Sequence, residues 1–326
     1  MKNVMRFIKN SILGIIIGIF IGAASIVLAD TINSNEVLYD NSNSNSSATD
    51  VQGAIDDVYN TLDKVGSGYS LIAHAPVGLS TELIAGLYRY QGVQDASHNV
   101  NNYICFGTVD KSTCVGDTDK YMYRIIGINT NGQMKLIKKE ALNTDYGLNL
   151  LKSADWPSTP IYIGLNGSYF LDNNIYIPDS TWEDRIAITE WHYASFSDAN
   201  VDFLTLYTRE IEAPAVNSKI GLMYLHDYFY ALPGGINCSS SGSPATCLTN
   251  WIHLSKNDPS PPRDKEWIIT RYDINGLWTI SLDGTASYHN TEKYGHTDSV
   301  RPVFFLNSNE RIASGNGTIT DPYILS

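Results

Sequence analysis

A repeated cysteine spacing places the strongest constraint on what this chain can fold into. Cys105 and Cys114 stand nine positions apart in CFGTVDKSTC, and Cys238 and Cys247 stand nine apart in CSSSGSPATC. Both stretches are rich in turn-forming residues. Four cysteines allow three pairings, and the two local pairs are the expected ones, each closing a short loop. A closed loop of that size contributes about 2–3 kcal/mol. Neither pair is a C-x-x-C, and neither has a histidine at metal-ligand spacing beside it, which argues against zinc and against thiol redox chemistry. Cysteines used in this way belong to an oxidising compartment.

The N-terminus points to the same compartment. MKNVMRFIKNSILGIIIGIFIGAASIVLAD carries Lys2, Arg6 and Lys9, then an uncharged apolar run ending in Val27-Leu28-Ala29. The small residues at 27 and 29 fit a signal-peptidase site. The run is also just long enough to span a bilayer. Residues 1–29 are therefore expected to be a cleaved signal peptide or a retained transmembrane anchor. Gly14, Gly18 and Gly22 would let that anchor pack against another helix. Either way the rest of the chain is exported, to the extracellular face of the cell membrane or to the medium. Net charge is −12, and the region before Asp30 contributes only positive charge, so the remainder is more acidic still. A nucleic-acid binder needs the opposite sign.

Residues 30–50 are rich in Asn and Ser and read as a spacer. In SSATDVQGAIDDVYNTLDKV, Val51, Ile55, Val58, Leu62 and Val65 follow a 4-3-4-3 spacing, a two-heptad seam. Thr49 is the expected N-cap, with Gln52 completing a capping box, and Gly66 to Gly68 end the helix. A helix over 51–65 is too short to stand alone in water, so it packs on its own domain or associates copies into a homo-oligomer. Residues 66–80 read as a linker, and 81–326 as one globular domain. There, short runs rich in Ile, Val, Tyr and Trp alternate with Gly/Asn/Asp turns. The expected fold class is α+β, mainly β. The clearest hairpin runs from Tyr121 to Ile128 and from Gln133 to Lys139 around Asn131-Gly132. IGLMYLHDYFYAL (220–232), EWIITRYD (266–273), LWTISLDG (277–284) and VRPVFFLNS (300–308) read as strands. TPIYIGLNGSYFLDNN (159–174) and STWEDRIAITEW (180–191) read as short helical pieces, the second with Thr181 as cap.

Two resemblances add to this. SATDVQGAIDDVYNTL resembles the ATNVQDAIDEL segment of phage tail-fibre and bacterial surface-fibre proteins, where it precedes or forms an oligomeric stalk. From about Gly86 onward, the order YRIIGI, GQMKLIKKEAL, LNGSYF, KIGLMYLHDY, a W-x-x-x-R strand (Trp267 to Arg271), SVRPVFFLN and SGNGTITDPYILS is similar to a family of uncharacterised exported surface proteins of gut Firmicutes and wall-less relatives. The W-x-x-x-R and V-R-P elements resemble the C-type-lectin-like fold of formylglycine-generating enzymes and of the variable receptor-binding proteins of retroelements. That resemblance implies a disulfide-stapled lectin-like domain. It does not carry over the copper-dependent cysteine chemistry of the enzymes, because these four cysteines are assigned to loop closure.

Candidate sites were weighed by residue type and spacing. Glu190 and His192 flank Trp191, and His226 precedes Asp227. Neither forms a metalloprotease or nucleophile motif, and on a strand His226 and Asp227 would face opposite ways. No catalytic set is assigned. Asp110, Asp117 and Asp119 surround the first cysteine loop, an oxygen-rich turn suited to calcium; no other cofactor is implied. Trp267, Arg271 and Arg301 are expected to be structural, the arginines paired because an unpaired buried charge is costly. The aromatics of the C-terminal third, which include Trp251 and Tyr294, sit among Asn, Asp, Ser and Gly, the composition of adaptable recognition surfaces. Tyr272, Asn275, Trp278, Tyr288, His289 and Asn290 are the candidate ligand-binding residues. The function these features favour is cell-surface recognition, an adhesin-like module for a glycan or protein ligand displayed on a short stalk. A structural envelope or fibre subunit and an enzyme acting on cell-surface polymer are the alternatives.

Overall fold

The computed structural model describes residues 37–38, 49–55, 67–94, 98–142, 156–167, 170–171, 176–198, 201–239, 244–253, 265–273, 276–290 and 299–326. The chain divides into two units, Met1–Lys64 and Val65–Ser326. In the first, residues 51–55 are helical. Asp50, not Thr49, caps this turn, because its Oδ1 accepts from the Gly53 N–H at 2.7 Å. The rest of the two-heptad seam and the apolar segment 1–29 lie outside the described residues. Among those described, no helix is long and apolar enough to cross a membrane.

The second unit begins earlier than the sequence suggested. Within the expected linker 66–80, Ser67–His74 is an α-helix, and its Leu71 lies in the main core. The helix ends in Ala75 at φ +40°, a left-handed conformation that a Cβ disfavours. Glycine at that position is expected to raise stability by about 0.5–1 kcal/mol, read as a higher melting temperature; a lower one would contradict the strain.

The unit is a mixed α+β structure with more strand than helix. Its largest sheet is built around the predicted hairpin, observed as β4 (Met122–Asn129) and β5 (Met134–Lys138). Gly132 takes φ +83° in the connecting turn, a conformation open to glycine. β1 (Leu79–Ile84) and β2 (Leu87–Tyr90) form a second hairpin, and β2 pairs with the C-terminal half of β4. β3 (Tyr103–Cys105) pairs with the N-terminal half of β4. Beyond β5 lie β12 (Val303–Phe305) and the two-residue β8 (Ile220–Gly221). Beyond β3 lie β14 (Tyr323–Leu325), which is parallel to it, and β13 (Ile312–Ser314). β4 and β5 are buried on both faces, Arg124, Lys135 and Lys138 included.

β6 (Thr189–His192) and β7 (Ala215–Ser218) make a two-stranded ribbon. The stretch 180–191, expected as helical throughout, is helical only over Ser180–Glu183, capped by Asp179 rather than Thr181. Its second half is β6, where Trp191 is fully buried above Gly221. A Cβ on Gly221 would come within 2.2 Å of the indole. Pro160–Leu165 is a short helix capped by Thr159.

β9 (Lys265–Asp273), β10 (Gly276–Ser281) and β11 (Ala286–Asn290) form an antiparallel three-stranded sheet. The bridges are Cys105–Cys114 and Cys238–Cys247. The first lies in a small core of its own with Tyr103, Met122 and Ile324.

The segment 220–232 departs most from its sequence reading. Only its first two residues are strand; Leu225–Tyr230 is an α-helix. Two carboxylates dictate it. Asp227 Oδ2 accepts from the Tyr224 N–H at 3.0 Å, and Glu210 accepts from the Leu225 and His226 N–H groups at 3.0 and 3.1 Å. The orphan donors that open a helix are satisfied, and this outweighs the strand preference of Tyr and Phe.

Candidate functional site

On one face of the β9–β11 sheet, three aromatic side chains meet. Tyr288 lies directly opposite Trp278 in the β10–β11 register. Tyr272, from the far end of β9, brings its ring to 5.1 Å from Trp278 and 4.4 Å from Tyr288. Trp278 is the base of the cluster: it is buried, and its Nε1–H donates to the Phe196 carbonyl at 2.9 Å. Tyr272 is half-buried and Tyr288 is 38% exposed, so these two present the apolar surface. Gly276 allows the Tyr288 ring to lie against the backbone, since a Cβ there would stand 2.1 Å from the ring.

The other candidates fall elsewhere. His289 is next to Tyr288 in a strand and so points to the opposite face, where it is buried with its ring 5.4 Å from Trp267. It is not a surface contact. Trp278 is likewise a support rather than an exposed platform. Asn290 ends β11 opposite Gly276. Asn275 and Tyr294 lie outside the described residues. Trp251 is buried, and its ring covers the Arg124 guanidinium at 4.5 Å.

Arg301 makes a bidentate pair with Glu266, at 2.7 and 2.8 Å, and also donates to the Ile252 carbonyl. Trp267 is buried beside it on β9, and Arg271 is half-buried at the same strand's far end. The Arg301–Glu266 pair and the Trp267 N–H, which donates to the Ser299 carbonyl, tie β9 to the segment leading into β12.

In the first cysteine loop, Asp110 and Asp117 serve as helix caps and Asp119 offers its backbone carbonyl. Asp110 caps the helix Lys111–Gly116, accepting from Ser112 and Thr113, and these hydrogen bonds lower its pKa. Asp117 caps the next turn, accepting from the Lys120 N–H. Asp119 gives its carbonyl to the buried Lys138 ammonium. Burial pushes that ammonium down to about 7, against the pull of Asp119 and Asp117. The group beneath this acidic turn is the Lys138 amine. Among the described residues, no group of three or more His, Cys, Asp or Glu side chains could hold a metal.

The cluster that sequence reasoning missed lies in the core. Asp227 receives Arg89 Nη1 at 2.9 Å and Lys135 Nζ at 2.6 Å. His226 places Nδ1 2.5 Å from Glu210 Oε2 and Nε2 3.5 Å from Asp227 Oδ1. Glu210 also accepts from the Thr270 hydroxyl on β9. The Lys135 ammonium is enclosed by Tyr224, Phe305 and Trp191, 4.5, 5.5 and 5.7 Å from their ring centres. Burial alone would raise the Asp227 carboxyl, but the Lys135 and Arg89 cations outweigh it and hold it well below the usual carboxylate range. Burial pulls Lys135 down, opposed chiefly by Asp227. All five charged or titratable side chains are buried, so the cluster cannot meet a substrate. The adjacent His226 and Asp227 were its one visible sign, and a strand assignment concealed it.

A shallow cleft lined by His253, Lys265, Glu266, Ser281 and Ser299 has room for little more than a water molecule. Glu190 and His192 share the β6 ribbon, with His192 Nδ1 2.8 Å from the Ala213 carbonyl. Comparison with protein-family models, curated proteins and solved structures gives no match.

Proposed function

We propose that this chain is an exported recognition protein of the cell surface, an adhesin-like module whose aromatic face on β9–β11 binds a glycan or protein ligand. The observation that carries the reading is the Tyr272–Trp278–Tyr288 cluster: an apolar patch on an antiparallel sheet, pinned from beneath by the Trp278 hydrogen bond, with Tyr288 open to solvent. Aromatic rings held at low entropy cost suit contact with the apolar face of a sugar or with a protein side chain. The two disulfides fit an extracellular location. Residues 1–29 would deliver or anchor the chain at the membrane, residues 30–50 would space it from the surface, and residues 51–65 would serve as a stalk that associates copies. The C-type-lectin-like assignment belongs with this proposal. It is supported by Trp267 and the Arg301–Glu266 pair, which place the W-x-x-x-R and V-R-P segments side by side.

Replacing Tyr288 by alanine removes the exposed rim of the cluster. Retention on immobilised glycans or whole cells is expected to weaken at least about tenfold, a loss of the size expected for an aromatic anchor. The urea unfolding midpoint should stay near the wild-type value. Equal retention by the variant would reject the face as the binding surface.

A further inference from the structure

We propose that His226 is the acid trigger of a buried latch that holds the helices Phe203–Ile211 and Leu225–Tyr230 against β9. The latch draws on five elements. Arg89 comes from β2, Lys135 from β5, Glu210 and Tyr207 from the first helix, Tyr224, His226 and Asp227 from the second helix and its cap, and Thr270 from β9.

The charges of this set balance only while His226 is neutral. Arg89 and Lys135 are matched by Asp227 and Glu210. In the neutral ring Nδ1–H donates to Glu210 Oε2 at 2.5 Å. Nε2 then needs no acceptor: Asp227 Oδ1, 3.5 Å away, is already held by Arg89. The ring is stacked on Tyr224 at 5.0 Å and meets the Tyr207 edge at 5.2 Å, so little water can solvate an added charge. A proton on Nε2 leaves one uncompensated positive charge in a closed cluster. Relief comes by moving the His226 ring toward water, which breaks its bond to Glu210 Oε2 and draws the His226 N–H off the same oxygen. The helix Leu225–Tyr230 is thereby loosened from Glu210, the residue that also binds Thr270 on β9.

Burial lowers the imidazole from its ordinary value, against the opposing pull of Glu210 and Asp227. The folded form therefore binds the proton more weakly than the unfolded chain. The stabilisation is complete above pH about 6.5, the unfolded value, and is lost as pH falls through the lower folded value. Within that window the folding constant should fall by about tenfold per pH unit through this one group.

The test is urea unfolding of the full chain from pH 8 to 4.5, wild type beside His226→Gln. The variant is expected to be less stable at pH 8 but to have a flatter profile between pH 6.5 and 5. His253, also lowered by burial, is common to both proteins and cancels in the difference. Parallel profiles would overturn the proposal. Should the variant not fold, the wild-type imidazole can be titrated by nitrogen-15 NMR. A ring that stays neutral well below pH 6.5 is the expected result, and a ring that protonates at or above pH 6.5 would overturn it. Faster exchange of the Leu225 and His226 amides on acidification, after correction for intrinsic rates, is the local signature; amides that stay protected while distant parts of the domain open would also overturn it.

Discussion

Replacing Asp227 by alanine is expected to cost about 3–5 kcal/mol, the range for breaking a buried ion pair by removing one partner. The size follows from what is left behind. Arg89 and Lys135 each direct a cation at this carboxylate, and both are buried with it. Arg89 keeps the Ile84 and Ala85 carbonyls, but Lys135 keeps only the faces of aromatic rings. The Tyr224 N–H also loses its acceptor, so the helix Leu225–Tyr230 loses part of its start. Asp227→Asn should cost less than the alanine variant, because an amide oxygen can still accept from Tyr224. Urea midpoints, compared with denaturant slopes, read both values. A loss under about 1 kcal/mol for Asp227→Ala would mean that the cluster is hydrated rather than closed.

Removing either disulfide is expected to cost about 2–3 kcal/mol through the unfolded chain, from loop closure alone. The two losses should be unequal in their local consequences. Cys105–Cys114 belongs to a small separate core, and its loss should loosen the first cysteine loop and the β3 end. Cys238–Cys247 holds more. The Cys238 carbonyl accepts from Ala286 N at 2.7 Å at the start of β11. Gly284, in the β10–β11 turn, sits so close to the Cys247 backbone that a Cβ would stand 2.6 Å from it. The Tyr228 hydroxyl bridges the same region through the Gly284 carbonyl at 2.8 Å. Paired Cys→Ala substitutions should therefore show equal entropic losses, with an additional loosening of β10–β11 only in the Cys238/Cys247 variant. Amide exchange in residues 276–290 reads that difference. Equal exchange in both variants would contradict the anchoring role.

What the sequence revealed depended on whether the governing interaction was local. The β4–β5 hairpin was legible because Asn131-Gly132 supplies its turn and the flanking residues form strands on their own preferences. β9 and β10 were legible for similar reasons, and the cysteine loops because nine-position spacing leaves little else for them to do. The helix Leu225–Tyr230 was not legible. Its initiation depends on Glu210, fifteen positions away from Leu225, and its packing depends on Arg89, 138 positions from Asp227. No window of sequence contains those partners. The same holds for Ser67–His74, whose Leu71 is recruited into a core that the local Gly/Ser composition gives no hint of. In the candidate site, Tyr272 and Tyr288 were chosen on composition, and the fold brings them into ring contact. His289 was chosen on the same ground, and strand alternation turns it away.

The most direct measurement is a screen of the intact chain, wild type beside the Tyr272→Ala/Tyr288→Ala double variant, against a glycan array and against whole bacterial and epithelial cells. Recognition through the β9–β11 face requires binding by the wild type that the double variant loses while its unfolding midpoint stays near the wild-type value. Silence of the wild type across the panel, or equal binding by both proteins, would contradict it.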